Sequence, residues 1–127
     1  MAVNYKAVPK KNPSDQASPA KYYPQVKSTG DVTLRQLAKE IALISTVSTT
    51  DAIAVMEGFL EVVPKALGTG RIVRLGEFGS FSISINGEGA ATADELSRHH
   101  IKKTSVKFRP GKIFQQEVAT IEFKKIS

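Results

Sequence analysis

The chain has 127 residues, 41% hydrophobic and 24% charged, with a formal net charge of +6, a profile that suits a single soluble domain, since domains cluster at about 100–150 residues. Cysteine is absent, which excludes a disulfide framework, a thiolate nucleophile and a cysteine-based zinc site. No apolar run reaches the roughly 18–20 residues that span a bilayer, and the opening Met1-Ala-Val-Asn-Tyr-Lys6 has no apolar core of signal-peptide length, so a cytoplasmic protein without a membrane partner is expected.

In chain order, Tyr5-Lys-Ala-Val8 and Tyr22-Tyr-Pro-Gln-Val26 are β-prone runs on either side of the turn-rich segment from Pro9 to Pro19. The four prolines of residues 1–30 suit edge strands and not central ones. An N-terminal extension is expected, forming an extra hairpin or staying partly disordered. Packing of this extension is the expected use of Tyr22 and Tyr23, with stacking on an exposed base as the alternative.

Thr33-Leu-Arg-Gln36 fits a capping box, in which hydroxyl and carboxamide each satisfy an orphan amide. Leu34, Leu37, Ile41 and Ile44 follow at helical spacing, predicting a helix over about 34–45. Ser48-Thr-Thr-Asp51 opens a second helix to about Leu67, where Gly68 and Gly70 end it. Between Ala52 and Leu67 its only charges are Glu57, Glu61 and Lys65, a narrow stripe at four-residue spacing. A helix apolar nearly all round must be buried on more than one side. One short partner helix and a small sheet cannot cover it, so a homodimer is expected. Pro64 withholds an amide and predicts a kink near Leu60.

From Arg71 the period changes to two. Phe81, Ile83 and Ile85 alternate with Ser80, Ser82, Ser84 and Asn86. Thr104, Val106 and Phe108 alternate with Lys103, Ser105, Lys107 and Arg109. Two strands result, with one oily side and one side of hydroxyls and cations. Phe78, Phe81 and Phe108 are expected in the core. The connection from Gly87 to about His100 is long for a hairpin and predicts a mobile arm. After Pro110-Gly111, Lys112 to Ala119 reads as a short helix. Ile121 to Ile126 alternates again and suits an extra strand against Tyr5–Val8.

Charge is unevenly placed. Residues 1–30 hold five cations and one acid, residues 31–96 five and nine, and residues 97–127 eight and two, or +4, −4 and +6. A basic final third beside an acidic middle points to a surface for an anionic partner. Arg98, Lys102, Lys103, Lys107, Arg109 and Lys112 are the candidate contacts, because lysine and arginine neutralise phosphates and release condensed counterions. Arg74 flanks that surface, serves as an ordinary surface charge, or pairs with the acidic stripe of the second helix. His99-His100 lacks further ligands for a metal site, and a polar contact in a groove suits it better. Gly68-Thr-Gly70 and Gly76-Glu-Phe-Gly79 match neither a dinucleotide fingerprint nor a P-loop and read as a helix stop and a tight turn. No set of acid, base and nucleophile suggests catalysis, so neither a cofactor nor a small-molecule substrate is expected.

Phe78-Gly-Ser-Phe81 is similar to a Phe-Gly-Asn-Phe turn, and Phe108-Arg-Pro-Gly-Lys112 to a Phe-Lys-Pro-Gly-Lys strand end. With two helices before them, these motifs make the chain over about 32–119 resemble the HU/IHF family of bacterial histone-like DNA-binding proteins, in an extended HU-like subgroup. The resemblance implies an α+β fold: an intertwined dimer of helical hairpins beneath a β-saddle with an arm, plus extra strands from both termini. The expected division is an extension over 1–30, the HU-like domain over 31–120 and a last strand over 121–127. Carried over by position, Arg109 and Lys112 would contact phosphates, while Gly76 and Gly79 would offer amides and Ser80 a hydroxyl. Three departures stand out. Residues 87–103 lack the proline that the family's Arg-Asn-Pro arm motif wedges between base pairs. Ser82, Ser84 and Asn86 stand where the family has arginines. Glu88, Asp94 and Glu95 make the arm acidic. The expected function is non-enzymatic, sequence-tolerant binding of double-stranded DNA by a nucleoid-associated homodimer, with an HU-fold interaction or scaffold module as the alternative.

Overall fold

The computed structural model describes residues 2–15 and 17–126. Met1, Gln16 and Ser127, which the sequence reading assigns to the extension, its turn and the last strand, lie outside them. The elements are β1 (Ala2–Lys10), β2 (Lys21–Lys27), α1 (Leu34–Ile44), α2 (Thr49–Leu67), β3 (Val73–Arg74), β4 (Gly79–Gly87), β5 (Ile101–Pro110), α3 (Lys112–Ala119) and β6 (Glu122–Lys125), with 3-10 turns at Gly76–Phe78 and Arg98–His100. The contacts divide into two units, one of residues up to Thr33 with those from Glu117 onward, the other Leu34–Gln116.

The terminal unit is a three-stranded sheet in the order β2-β1-β6. β1 and β2 form an antiparallel hairpin from Asn4 opposite Lys27 to Lys10 opposite Lys21. β6 runs parallel to β1, pairing Ala2 with Glu122 through Tyr5 with Lys125, and the Ile126 amide extends the ladder to the Tyr5 carbonyl at 2.8 Å. The extension is therefore a folded hairpin, and β1 is its central strand despite Pro9. The physical reason is that β6 reaches only to Tyr5; beyond it one edge of β1 is open, where a missing amide costs little. At the hairpin turn the Asp15 carboxylate accepts the Ser18 hydroxyl at 2.6 Å and the Ala17 amide at 3.2 Å. The Ser18 bond above all holds the Asp15 carboxyl below its ordinary range.

In the larger unit α1 packs on α2. Ala38 is fully buried and Ala52 nearly so, because small side chains let the helices approach closely. Ser48 caps α2, its hydroxyl accepting the Asp51 amide at 3.1 Å. The helix runs without interruption past Pro64 to Leu67, and the Gly68 amide closes its last turn on the Pro64 carbonyl at 2.9 Å. Much of the apolar surface of the pair is uncovered among the described residues of this unit: Leu43 is 85%, Ile44 86% and Leu60 79% exposed.

The second sheet is β3-β4-β5, antiparallel throughout. Phe78, Phe81, Phe108 and Phe114 form an aromatic cluster with ring centroids 4.9–6.0 Å apart. Phe78 and Phe108, expected in the core, remain 53% and 40% exposed; the sheet is too narrow to enclose them within one chain. Two glycines fix the ends of the strands. Gly79 has φ +143°, and a Cβ there would strike the Arg109 carbonyl; one on Gly111 would strike the Glu77 carbonyl.

Candidate nucleic-acid interface

Alternation along β4 and β5 sorts their side chains by chemistry, and the register aligns the two sorted sets. Phe81 lies opposite Phe108, Ile83 opposite Val106 and Ile85 opposite Thr104 on one face. On the other, Ser80 lies opposite Arg109, Ser82 opposite Lys107, Ser84 opposite Ser105 and Asn86 opposite Lys103. β3 adds Arg74 opposite Ser80, so Arg74, Ser80 and Arg109 form one row across three strands. A shallow cleft of about 370 Å³ opens there, lined by Ile72, Arg74, Ser80, Ser82, Lys107, Phe108 and Arg109.

The four cations of this face, Arg74, Lys103, Lys107 and Arg109, are exposed, while the serines are half-buried between them. Lys103, Lys107 and Arg109 face an asparagine and two serines, not other cations, which avoids the repulsion of like charges directly opposite. No carboxylate shares the face. Chemically, the arrangement can donate. Guanidinium forks, ammonium groups and hydroxyls stand ready for phosphate oxygens.

The remaining sequence candidates fall elsewhere. The register slips between Asn86 and Gly87, so that Gly87 pairs with Ile101 and Lys102 becomes the extra, bulged residue. Arg98 sits in the 3-10 turn at the base of the arm and Lys112 opens α3. Gly76 heads its turn at φ +58°. Arg74 lines the cleft beside Ser80 and Arg109.

The arm is a loop of local turns. The Glu88 amide donates to the His100 carbonyl at 2.9 Å and the Leu96 amide to the Ala93 carbonyl at 3.3 Å. His100 has a role that sequence reasoning missed: its Nδ1 accepts the Ser97 amide at 3.1 Å and caps the turn that leads into β5. The Ser97 spacing is the signal that could have found it, since a hydroxyl residue three before a side-chain acceptor is a capping pattern.

Comparison with known proteins gives three findings. The profile of the HU-HIG family, described as an HU domain fused to wHTH, Ig, or glycine-rich motif, matches residues 1–125. A provisionally described bacterial DNA-binding protein from Bacteroides vulgatus superposes with a TM-score of 0.68 at 14% identity, over 98% of this chain and 48% of that one; the chain thus spans about half its length. An Anabaena HU–DNA cocrystal structure superposes with a TM-score of 0.54 at 23% identity, over 70% of this chain and 99% of that one. The fold is HU-like. No curated protein matches.

Proposed function

Because the chain belongs to the HU-HIG family, we propose that it binds duplex DNA without catalysis and with little regard to sequence, as a nucleoid-associated architectural homodimer. The observation that carries this reading is the row Arg74–Ser80–Arg109 and the carboxylate-free face around it. Such a face neutralises backbone phosphates, contacts that position a duplex without carrying sequence information. Arg98, Lys102 and Lys112 extend the charge around it, and the amides of Gly76 and Gly79 flank it. The homodimer is supported by the uncovered apolar surface of α1 and α2, since contiguous exposed apolar patches mark association sites. The arm supports a second reading, an HU-fold scaffold for a protein partner, because Glu88, Asp94 and Glu95 are exposed on it and it carries no proline.

Anisotropy of a fluorescent mixed-sequence duplex across a salt series separates the two. If the four face cations of both subunits meet phosphates, log affinity falls with log salt at a slope of about −7, equally for unrelated duplexes. Arg109→Glu with Lys112→Glu abolishes binding under the first reading. No binding at low salt by a confirmed dimer would establish the scaffold instead.

A further inference from the structure

Alternation sorts the sheet of the terminal unit as well, and one of its sides carries five lysines against a single acid. By the β1–β2 and β1–β6 registers, Tyr5, Tyr22, Pro24, Val26 and Phe123 share one face with Lys125. Lys6, Lys10, Lys21, Lys27 and Lys124 share the other, with Tyr23 among them. All five lysines are exposed. None has a carboxylate directly opposite: Lys6 faces Gln25, Lys10 faces Lys21, and Asn4 lies between Lys27 and Lys124. Glu122 is the one acid on this face, at its far edge opposite Ala2. At the closed end of the hairpin Lys10, Lys11, Lys21 and Tyr23 line a cleft of about 460 Å³ with Asn12 and Pro13. The nearby Asp15 is occupied by Ser18 and Ala17.

This is a costly arrangement for a surface that serves solubility alone. Such surfaces intersperse the two signs, and like charges directly opposite across strands destabilise a hairpin. Among the described residues the Lys10–Lys21 pair meets a Lys10 Nζ contact 5.9 Å above the Tyr23 ring, a weak attraction at an exposed site. A polyanion would turn the repulsion into binding. From Lys27 to Lys21 the face is about 20 Å long at a strand rise of about 3.3 Å. Over that length a duplex presents about twelve phosphates. Lysine contacts phosphate as a point charge, without the planar fork that reads guanine.

We infer that the lysine face of the β2-β1-β6 sheet is a second contact surface for the backbone of duplex DNA, separate from the β3-β4-β5 face. It rests on the DNA-binding reading above and gives the terminal extension a ligand. Charge complementarity selects a phosphate backbone as its occupant.

The test uses the full chain on the same duplex and salt series, comparing Lys10→Gln/Lys21→Gln with Lys39→Gln/Lys65→Gln, which removes equal charge from the exposed sides of α1 and α2. The hairpin variant lowers the salt slope by about 2 for each subunit that contacts DNA, and the helix variant leaves it unchanged. Lys10→Arg/Lys21→Arg keeps the wild-type slope. The glutamine variant stays folded, since it relieves a repulsion, and its melting temperature verifies this. Wild-type binding with an unchanged hairpin-variant slope overturns the inference while leaving the DNA-binding reading intact. Equal losses in both variants also overturn it, because the effect is then one of net charge. Absence of wild-type binding overturns both. A protein partner that binds the wild type and loses the Lys10→Gln/Lys21→Gln variant, with DNA affinity unmoved, would assign the face to that partner.

Discussion

Replacing Gly79 with alanine tests how tightly the cationic row is built. Gly79 has φ +143° and ψ −164°, a region that is essentially reserved for glycine and costs other residues about 1–3 kcal/mol. A Cβ at this position meets the Arg109 carbonyl oxygen and lies 2.8 and 3.0 Å from two carbons of the Phe108 ring. The carbonyl is backbone and cannot swing aside as a side chain would, so overpacking adds about 1–3 kcal/mol. The two costs share some relaxation, giving about 2–5 kcal/mol, a large part of the roughly 5–15 kcal/mol that holds a domain folded. With a urea slope of about 1–3 kcal/mol per molar, the unfolding midpoint falls by about 1 M or more at fixed protein concentration. DNA affinity falls as well, because pushing β5 away at Arg109 breaks the alignment of Arg74, Ser80 and Arg109. Gly89→Ala is the control: its Cβ meets nothing within 4 Å, and its effect stays within about 0.5 kcal/mol. A Gly79→Ala midpoint equal to that of Gly89→Ala would refute the close approach of β4 and β5 at this point.

Two further changes probe the helices. Leu60→Asp, at a side chain 79% exposed in one chain, removes about 1.5–3 kcal/mol of burial from each side of a two-fold interface. Sedimentation should show the dimer weakened about 100-fold or more, and an unchanged dimer would place this part of α2 outside the interface. Ser48→Ala removes the hydroxyl that accepts the Asp51 amide and lowers stability by about 1 kcal/mol in the same urea assay.

The cationic face was legible in the sequence because a period of two needs no knowledge of the partner strand to say which residues lie together. The alternation of Ser80–Asn86 and Lys103–Arg109 therefore foretold the pairs that the register forms. The bulge at Lys102 was not legible. It depends on how the arm closes, through the Glu88 amide on the His100 carbonyl and the His100 cap, and no local pattern encodes that closure. The lysine face was hidden for another reason. The β-prone runs Tyr5–Val8 and Tyr22–Val26 stop short of Lys10, Lys21 and Lys27, so the strand ends that carry the charge fall outside them. The exposure of Phe78 and Phe108 was missed because an aromatic residue at an inward position looks the same whether its cover comes from its own chain or from another.

Under the proposed function, the two faces and the arm fit one mode of binding. A wedge that unstacks base pairs gains its specificity from the deformability of the duplex. The loop between β4 and β5 carries no proline, and Glu88, Asp94 and Glu95 on it repel phosphates instead of seeking them. What the chain carries instead is cationic sheet surface: Arg74, Lys103, Lys107 and Arg109 on one sheet, and Lys6, Lys10, Lys21, Lys27 and Lys124 on the other. Cationic surfaces of this kind take their affinity from released counterions, which every duplex supplies equally. Under the proposed function, affinity should therefore follow salt steeply while distinguishing little between stiff and flexible sequences.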